Sequence, residues 1–222
     1  MRILKVKHYV KRLLYLVLLT GVFSSYAGSY VDFFSAIRRD DPSGVRTPLQ
    51  RGFDPNTANE GGVSAIHLSI QTESYKAAEI LATAPGLAVD KENEHGETPL
   101  MMAALKGQKR LAVVLLDRGA RVQKPGWTPL HYAACGPDAE VVSLLLGRQA
   151  ALEARSPNGT TPLMMAAGYG TEASVDALLM AKADPSAKND LGLTAADLAQ
   201  RAGRDGLAKR LAALAVAQAA SR

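Results

Sequence analysis

The feature that most limits what this chain can become is a short phrase that returns at a nearly fixed interval. It reads Thr98-Pro99-Leu100-Met101-Met102-Ala103, then Thr128-Pro129-Leu130-His131-Tyr132-Ala133, then Thr161-Pro162-Leu163-Met164-Met165-Ala166. Weaker copies flank these at Ser64-Ala65-Ile66-His67-Leu68-Ser69 and Thr194-Ala195-Ala196-Asp197-Leu198-Ala199, and the successive steps are 34, 30, 33 and 33 residues. A period of this length predicts a solenoid, in which each unit buries its apolar face only against its neighbours.

Each phrase has the chemistry of a helix start. The Thr hydroxyl can accept from an orphan backbone N–H of the first turn, and the following Pro has a preset φ and lacks a donor that would have gone unused. Ala103-Ala104, Ala133-Ala134 and Ala166-Ala167 follow at positions where neighbouring helices must approach closely. Gly107, Gly136-Pro137 and Gly170 then interrupt, and a second apolar helix is expected around Leu111–Leu116, Val141–Leu146 and Val175–Leu179. An extended connection carrying Gly96, Gly126, Gly159 or Gly192 leads to the next phrase. Aromatics are only 5% of residues while apolar residues reach 47%, which suits an all-α protein packed through Ala and Leu.

These phrases resemble ankyrin repeats, whose unit is a β-turn finger followed by two antiparallel helices. The resemblance runs from residue 31 to about 214 and implies an ankyrin-repeat α-solenoid of six helix-turn-helix units: 31–63, 64–97, 98–127, 128–160, 161–193 and 194–216. In the first, Phe33, Ala36, Val45 and Leu49 take apolar positions, making it a degenerate N-terminal cap. In the last, Leu198, Leu207, Leu211 and Leu214 are expected inside and Arg201, Arg204, Lys209 and Arg210 outside. Residues 28–216 form the expected domain, and 217–222 a C-terminal tail.

Residues 1–27 read as a signal peptide. Arg2, Lys5, Lys7, Lys11 and Arg12 precede an apolar run from Leu13 to Phe23, and Ser25-Tyr26-Ala27 offers small residues for cleavage after Ala27. An uncleaved anchor is the alternative, and the only expected membrane contact, but the run is well short of the roughly twenty residues a spanning helix needs. The style of the leader suggests a bacterium, and hence a periplasmic or secreted protein. The whole chain has 26 Lys plus Arg against 21 Asp plus Glu. Five of those bases and no acid lie in the leader, so the mature chain is formally neutral and lacks the basic patches of a nucleic-acid binder.

Catalytic groups do not converge. Among the mature His residues, His67 and His131 hold one repeat position, while His95 lies in a finger. The resemblance makes the repeat His structural, bonded near the Thr of its own phrase. His67, Met101, His131, Met164 and Asp197 form a row that could suggest soft-metal ligands, but stacked helices are separated by roughly 8–10 Å, too far for one ion. No metal, no cofactor and no enzymatic activity are expected. A periplasmic metal or redox protein using that row and Cys135, the sole cysteine, is the distant alternative.

Ankyrin-like stacks meet partners through finger tips and exposed residues late in the first helix. That rule selects Glu94, His95, Glu97, Lys124, Trp127, Pro157, Asn158, Thr160, Asp190 and Leu191 in the fingers, and Leu105, Lys106, Cys135 and Tyr169 on the helices. The third unit is about three residues short, which predicts a notch in the row of tips beside the only Trp, either packed over its own turn or offered to a partner. The expected function is a monomeric adaptor or scaffold that holds another protein through its concave face. The alternative within this class is an inhibitor or immunity-type protein masking an envelope enzyme or toxin.

Overall fold

The computed structural model describes residues 29–220; the expected signal peptide therefore lies outside the described residues. The described chain is helical: α1 (residues 29–38), α2 (Pro42–Gln50), α3 (Ala65–Gln71), α4 (Tyr75–Thr83), α5 (Pro99–Leu105), α6 (Lys109–Asp117), α7 (Pro129–Cys135), α8 (Ala139–Gly147), α9 (Pro162–Tyr169), α10 (Glu172–Met180), α11 (Ala195–Arg201) and α12 (Asp205–Ala220). The helices α3, α5, α7, α9 and α11 stack in one row, and α2, α4, α6, α8 and α10 stack in a second row, with α12 against α11. This is the expected ankyrin-type solenoid.

The local chemistry at each helix start matches its phrase. Met101 and Met164 backbone N–H groups donate to the hydroxyls of Thr98 and Thr161 at 3.3 and 3.4 Å. The fourth side chain of the phrase closes the return bond. Thr98 N–H points at Met101 Sδ (3.4 Å), Thr128 N–H donates to His131 Nδ1 (3.2 Å), Thr161 N–H points at Met164 Sδ (3.5 Å) and Thr194 N–H donates to Asp197 Oδ2 (2.7 Å). Four of the five residues in the suspected ligand row are thus reciprocal caps, each turned back on its own helix start. The fifth, His67, holds Ser64 Oγ at 2.6 Å from Nδ1.

Between rows lies a continuous core. Leu100, Leu115, Leu130, Leu145 and the alanine pairs at 103–104, 133–134 and 166–167 are all 0% exposed. Small side chains at these sites let backbones close in. A Cβ placed on Gly170 would stand 1.9 Å from the Ala134 carbonyl oxygen, so α9 and α7 touch where only hydrogen fits. Outside the core, ion pairs step from unit to unit: Lys106 with Glu73, Arg110 with Glu79, Arg121 with Asp90, Lys124 with Glu92, Lys109 with Glu140, Arg148 with Asp117 and Arg210 with Asp176. Being mostly exposed, they set register more than they add stability.

The C-terminal cap departs from the sequence reading in three ways. Arg204 turns inward, its Nη1 donating to the carbonyls of Ala166, Ala167 and Gly170 at 2.9–3.0 Å, where the last turn of α9 leaves carbonyls short of partners. Leu214 is 39% exposed, because α12 extends past the stack that buries Leu207 and Leu211. The expected tail from residue 217 continues this helix to Ala220.

Candidate functional site

The fingers are built alike. In four of them a backbone bond closes a turn at its base, from Asn59 to the Val63 carbonyl (2.8 Å), Asn93 to Glu97 (2.9 Å), Ser156 to Thr160 (3.0 Å) and Asn189 to Leu193 (3.0 Å). Asn93 Oδ1 then accepts the N–H groups of His95 and Glu97, each at 2.9 Å, while Asn189 Oδ1 accepts those of Leu191 and Leu193. Glycines 96, 159 and 192 supply φ near +73° at the turn. The base residues Asn93, Ser156 and Asn189 fix the tips in place, and sequence reasoning passed over them; an Asn or Ser three residues before the finger Gly is the signal that marks them.

The tips are exposed at Glu94, His95, Pro157, Asn158, Asp190 and Leu191, with Leu191 75% exposed. They also lean on one another: Asp190 N–H donates to the Asn158 carbonyl at 3.1 Å. Two expected contact residues serve the stack instead. Thr160 is only 3% exposed, its N–H bonded to Ser156 Oγ (3.0 Å) and its carbonyl taken by His131 Nε2 (2.9 Å), so it is a buried joint between α7 and the finger and offers no surface to a partner. Lys124, its side chain only 18% exposed, spans the short third finger, bonding the Gly96 carbonyl at 2.6 Å and Glu92 at 2.8 Å. Lys106 remains at the surface, paired with Glu73 at 2.9 Å.

Three of the selected residues come together. Leu105, Trp127 and Cys135 line an open dent of about 220 Å³ with His131, Tyr132 and Met165, centred on α7 and walled by the end of α5 and the middle of α9. Trp127 lies half-buried, its ring edge-on to His131 with centroids 5.3 Å apart, so it packs over its own turn and also walls the dent. Tyr132 and Met165 were not among the selected residues, though both stand in the repeated phrase. Tyr169, 73% exposed, and Leu105, 39% exposed, continue the apolar character along the ends of α9 and α5.

Electrostatics keep this dent neutral. Burial pushes the Cys135 thiol up to about 11, so the sulfur is a protonated, soft wall. Burial, with the nearby Glu97 carboxylate adding to it, pushes the Tyr132 phenol up to about 12, and its hydroxyl donates to Glu97 Oε1 at 3.1 Å. Burial also depresses His131 below its ordinary value. Its Nε2 must carry the proton, since it faces a carbonyl, and Nδ1 is an acceptor. Neither nitrogen is free to act as a base.

A family model for ankyrin repeats matches residues 33–125 and 121–189, and the chain belongs to the ankyrin-repeat family. It is similar to the tyrosine-protein kinase Shark of Drosophila melanogaster, 31% identical over 179 residues that cover 78% of this chain and 19% of that protein. It is also similar to neurogenic locus notch homolog protein 4 of Homo sapiens, 46% identical over 93 residues (40% of this chain, 5% of that protein). A third similarity is to the B-cell lymphoma 3 protein homolog of Mus musculus, 30% identical over 155 residues (67% of this chain, 35% of that protein). The chain thus spans 35% or less of the length of these relatives. Ankyrin repeats generally mediate protein–protein interactions, and proteins built from them are typically non-enzymatic scaffolds.

Proposed function

We propose that this protein is an adaptor of the bacterial cell envelope that holds one partner protein on the face made by the fingers and the first-helix row. The observation that carries this reading is the dent on α7, where an aromatic, a thiol and aliphatic side chains lie open to solvent. Such a cluster, with Trp127 at the base of a finger as its large anchor, has the apolar centre expected of a protein interface. The exposed Tyr169 and Leu191 extend it toward the fifth unit. Export by the leader supports the envelope as the site of action, with the mature chain starting at Gly28.

Photo-crosslinking residues placed singly at Leu105 and Tyr169, and at Lys76 on the second-helix row as a control, test the reading in living cells. Capture of the same discrete protein from the first two positions and not from Lys76 supports it. Equal capture from all three positions, or from none, overturns it. Mass measurement of the protein recovered from envelope fractions tests the compartment: a mature chain beginning at Gly28 is expected, and a protein found only in the cytoplasm with Met1 intact refutes export.

A further inference from the structure

Glu97 is an acid of this surface held without a base. Six carboxylates of units two to four pair with a lysine or arginine, Glu73 with Lys106, Glu79 with Arg110, Asp90 with Arg121, Glu92 with Lys124, Asp117 with Arg148 and Glu140 with Lys109, while Asp138 and Glu153 accept backbone N–H groups. Glu97 is half-buried and has no such partner within ion-pairing distance among the described residues. Its two oxygens are held by neutral donors instead, Oε1 by the Tyr132 hydroxyl at 3.1 Å and Oε2 by Asn93 Nδ2 at 2.8 Å. Each oxygen keeps a second acceptor direction. Tyr132 is also a wall of the dent on α7, so one hydrogen bond joins this fixed carboxylate to the lining of an apolar hollow that holds two aromatic residues, Trp127 and Tyr132.

We propose that the dent and Glu97 together form a pocket for a single arginine side chain of the partner protein. The inference rests on the reading of this face as a protein-binding surface and names what it recognises. Size favours one side chain over a whole small ligand: about 220 Å³ is below the roughly 300–1,000 Å³ of typical small-molecule sites. Charge favours a cation, because the carboxylate bonded to the Tyr132 wall has no base beside it and the walls add no charge of their own. Arginine suits the place better than lysine. Its guanidinium is less strongly hydrated, stacks on aromatic rings and can present two parallel N–H donors to a carboxylate, while its methylene stem lies on Leu105, Cys135 and Met165. The protonated state of the Cys135 thiol fits a wall that contacts methylenes.

The test uses the purified full chain and its single tryptophan, whose indole N–H gives one resolved reporter signal. The probes are N-acetylarginine amide, N-acetylcitrulline amide of the same shape without charge, N-acetyllysine amide blocked at the α-nitrogen only, and N-acetylleucine amide. A saturable shift of the Trp127 signal is expected with arginine at concentrations where citrulline and leucine give none, and with lysine binding more weakly. Glu97→Gln still accepts from Asn93 Nδ2 through its one oxygen and can turn its amide N–H to the Tyr132 oxygen, so the side chain stays in place while arginine binding should weaken about tenfold, the loss of one charge-assisted contact. Trp127→Leu, read on the backbone amides of α7, should weaken it as well. Citrulline, leucine or lysine matching arginine overturns the pocket, as does a Glu97→Gln variant that binds arginine unchanged. The crosslinks from Leu105 and Tyr169 separate this failure from that of the adaptor reading: capture that survives Glu97→Gln refutes the arginine pocket alone, whereas an intact arginine titration without any cellular capture refutes the adaptor alone.

Discussion

His131 Nε2 lies 2.9 Å from the backbone carbonyl of Thr160, so the imidazole that caps α7 through Nδ1 also ties the first helix of the fourth unit to the finger that closes that unit and leads into α9. His67 makes the same tie one repeat pair earlier, with Nε2 at 3.1 Å from the Glu97 carbonyl. Both bonds need the neutral ring protonated on Nε2. A second proton would have to enter at Nδ1, where Thr128 N–H and Ser64 Oγ already sit.

Burial is the first cause of the lowered pKa at both rings, and the unfolded chain therefore binds more protons in mild acid. Stability is then full above the ordinary imidazole value of 6.5 and falls as pH drops from there toward the depressed folded values. Urea melts between pH 7.5 and 5 should show this loss. His131→Met installs the side chain the stack already uses at Met101 and Met164. It should cost about 1 kcal/mol at pH 7.5 through the lost Thr160 bond, yet flatten the acid slope. A variant with the parental slope would mean that His131 does not titrate on unfolding.

Much of this was legible before any coordinates. The Thr-Pro pairs mark helix starts, and the alanine pairs mark where backbones meet, because both roles depend only on neighbours in sequence. The cap role of Met101 and Met164 was hidden, since a thioether is a weak acceptor and a buried Met is more often core. Thr160 was misplaced for a different reason. It occupies the position of Glu97 and Trp127 in its own unit, but a small side chain there lets the finger close over it, while the larger ones reach outward. The pairing of Tyr132 with Glu97 spans 35 residues, and nothing in either residue's neighbourhood announces it.

Leu115 and Leu145, both fully buried between the rows, are the direct test of the stacking register. Either Leu→Ala change leaves a cavity and should cost ~2–5 kcal/mol. In a stack where each unit supports the next, the loss should spread to adjacent repeats, seen as faster amide exchange in α6, α8 and α10. Melting temperatures that stay put would refute this register.

Gln149 and Lys182 close α8 and α10 with φ of 65° and 74°, the left-handed region, where the third unit uses Gly119. A side chain there is strained by roughly 1 kcal/mol, relieved by glycine even after its higher unfolded entropy is subtracted in part. Gln149→Gly keeps the backbone carbonyl that Gln123 Nε2 reaches at 2.9 Å. Both single variants should raise the denaturation midpoint slightly, with additive effect in the double. A lowered midpoint would show that the side chains at these positions supply more than the backbone strain removes.

Gly170 and Gly147 should respond to alanine in opposite directions. At Gly170 the new methyl would meet the Ala134 carbonyl oxygen at 1.9 Å and the Cα of Ala166 at 3.0 Å, all of it backbone. Separating α9 from α7 should cost at least ~1–3 kcal/mol and disturb the neighbouring hold of Arg204 on the Gly170 carbonyl. At Gly147, the last residue of α8, nothing lies within 4 Å, and alanine should stabilise by about 0.5–1 kcal/mol. Chemical melts of the two variants, compared on the same day against the parent, give the sign of each.

Cys135 offers a last test, because its position in the dent and its raised pKa pull its reactivity in different directions. The sulfur lines an open hollow, which would favour attack, but burial pushes the thiol up to about 11. The thiolate is the nucleophile, and at pH 8 only about one molecule in a thousand would carry it. Iodoacetamide should therefore modify the folded protein far more slowly than the urea-unfolded chain, with a rate that climbs tenfold per pH unit through pH 9. Cys135→Ala removes apolar wall and no charge, so partner capture at Leu105 should weaken less than it does in Glu97→Gln. Rapid alkylation of the folded protein at pH 7 would instead place a thiolate in the dent, which would set a negative wall beside Trp127 and require the neutral picture of this surface to be redrawn.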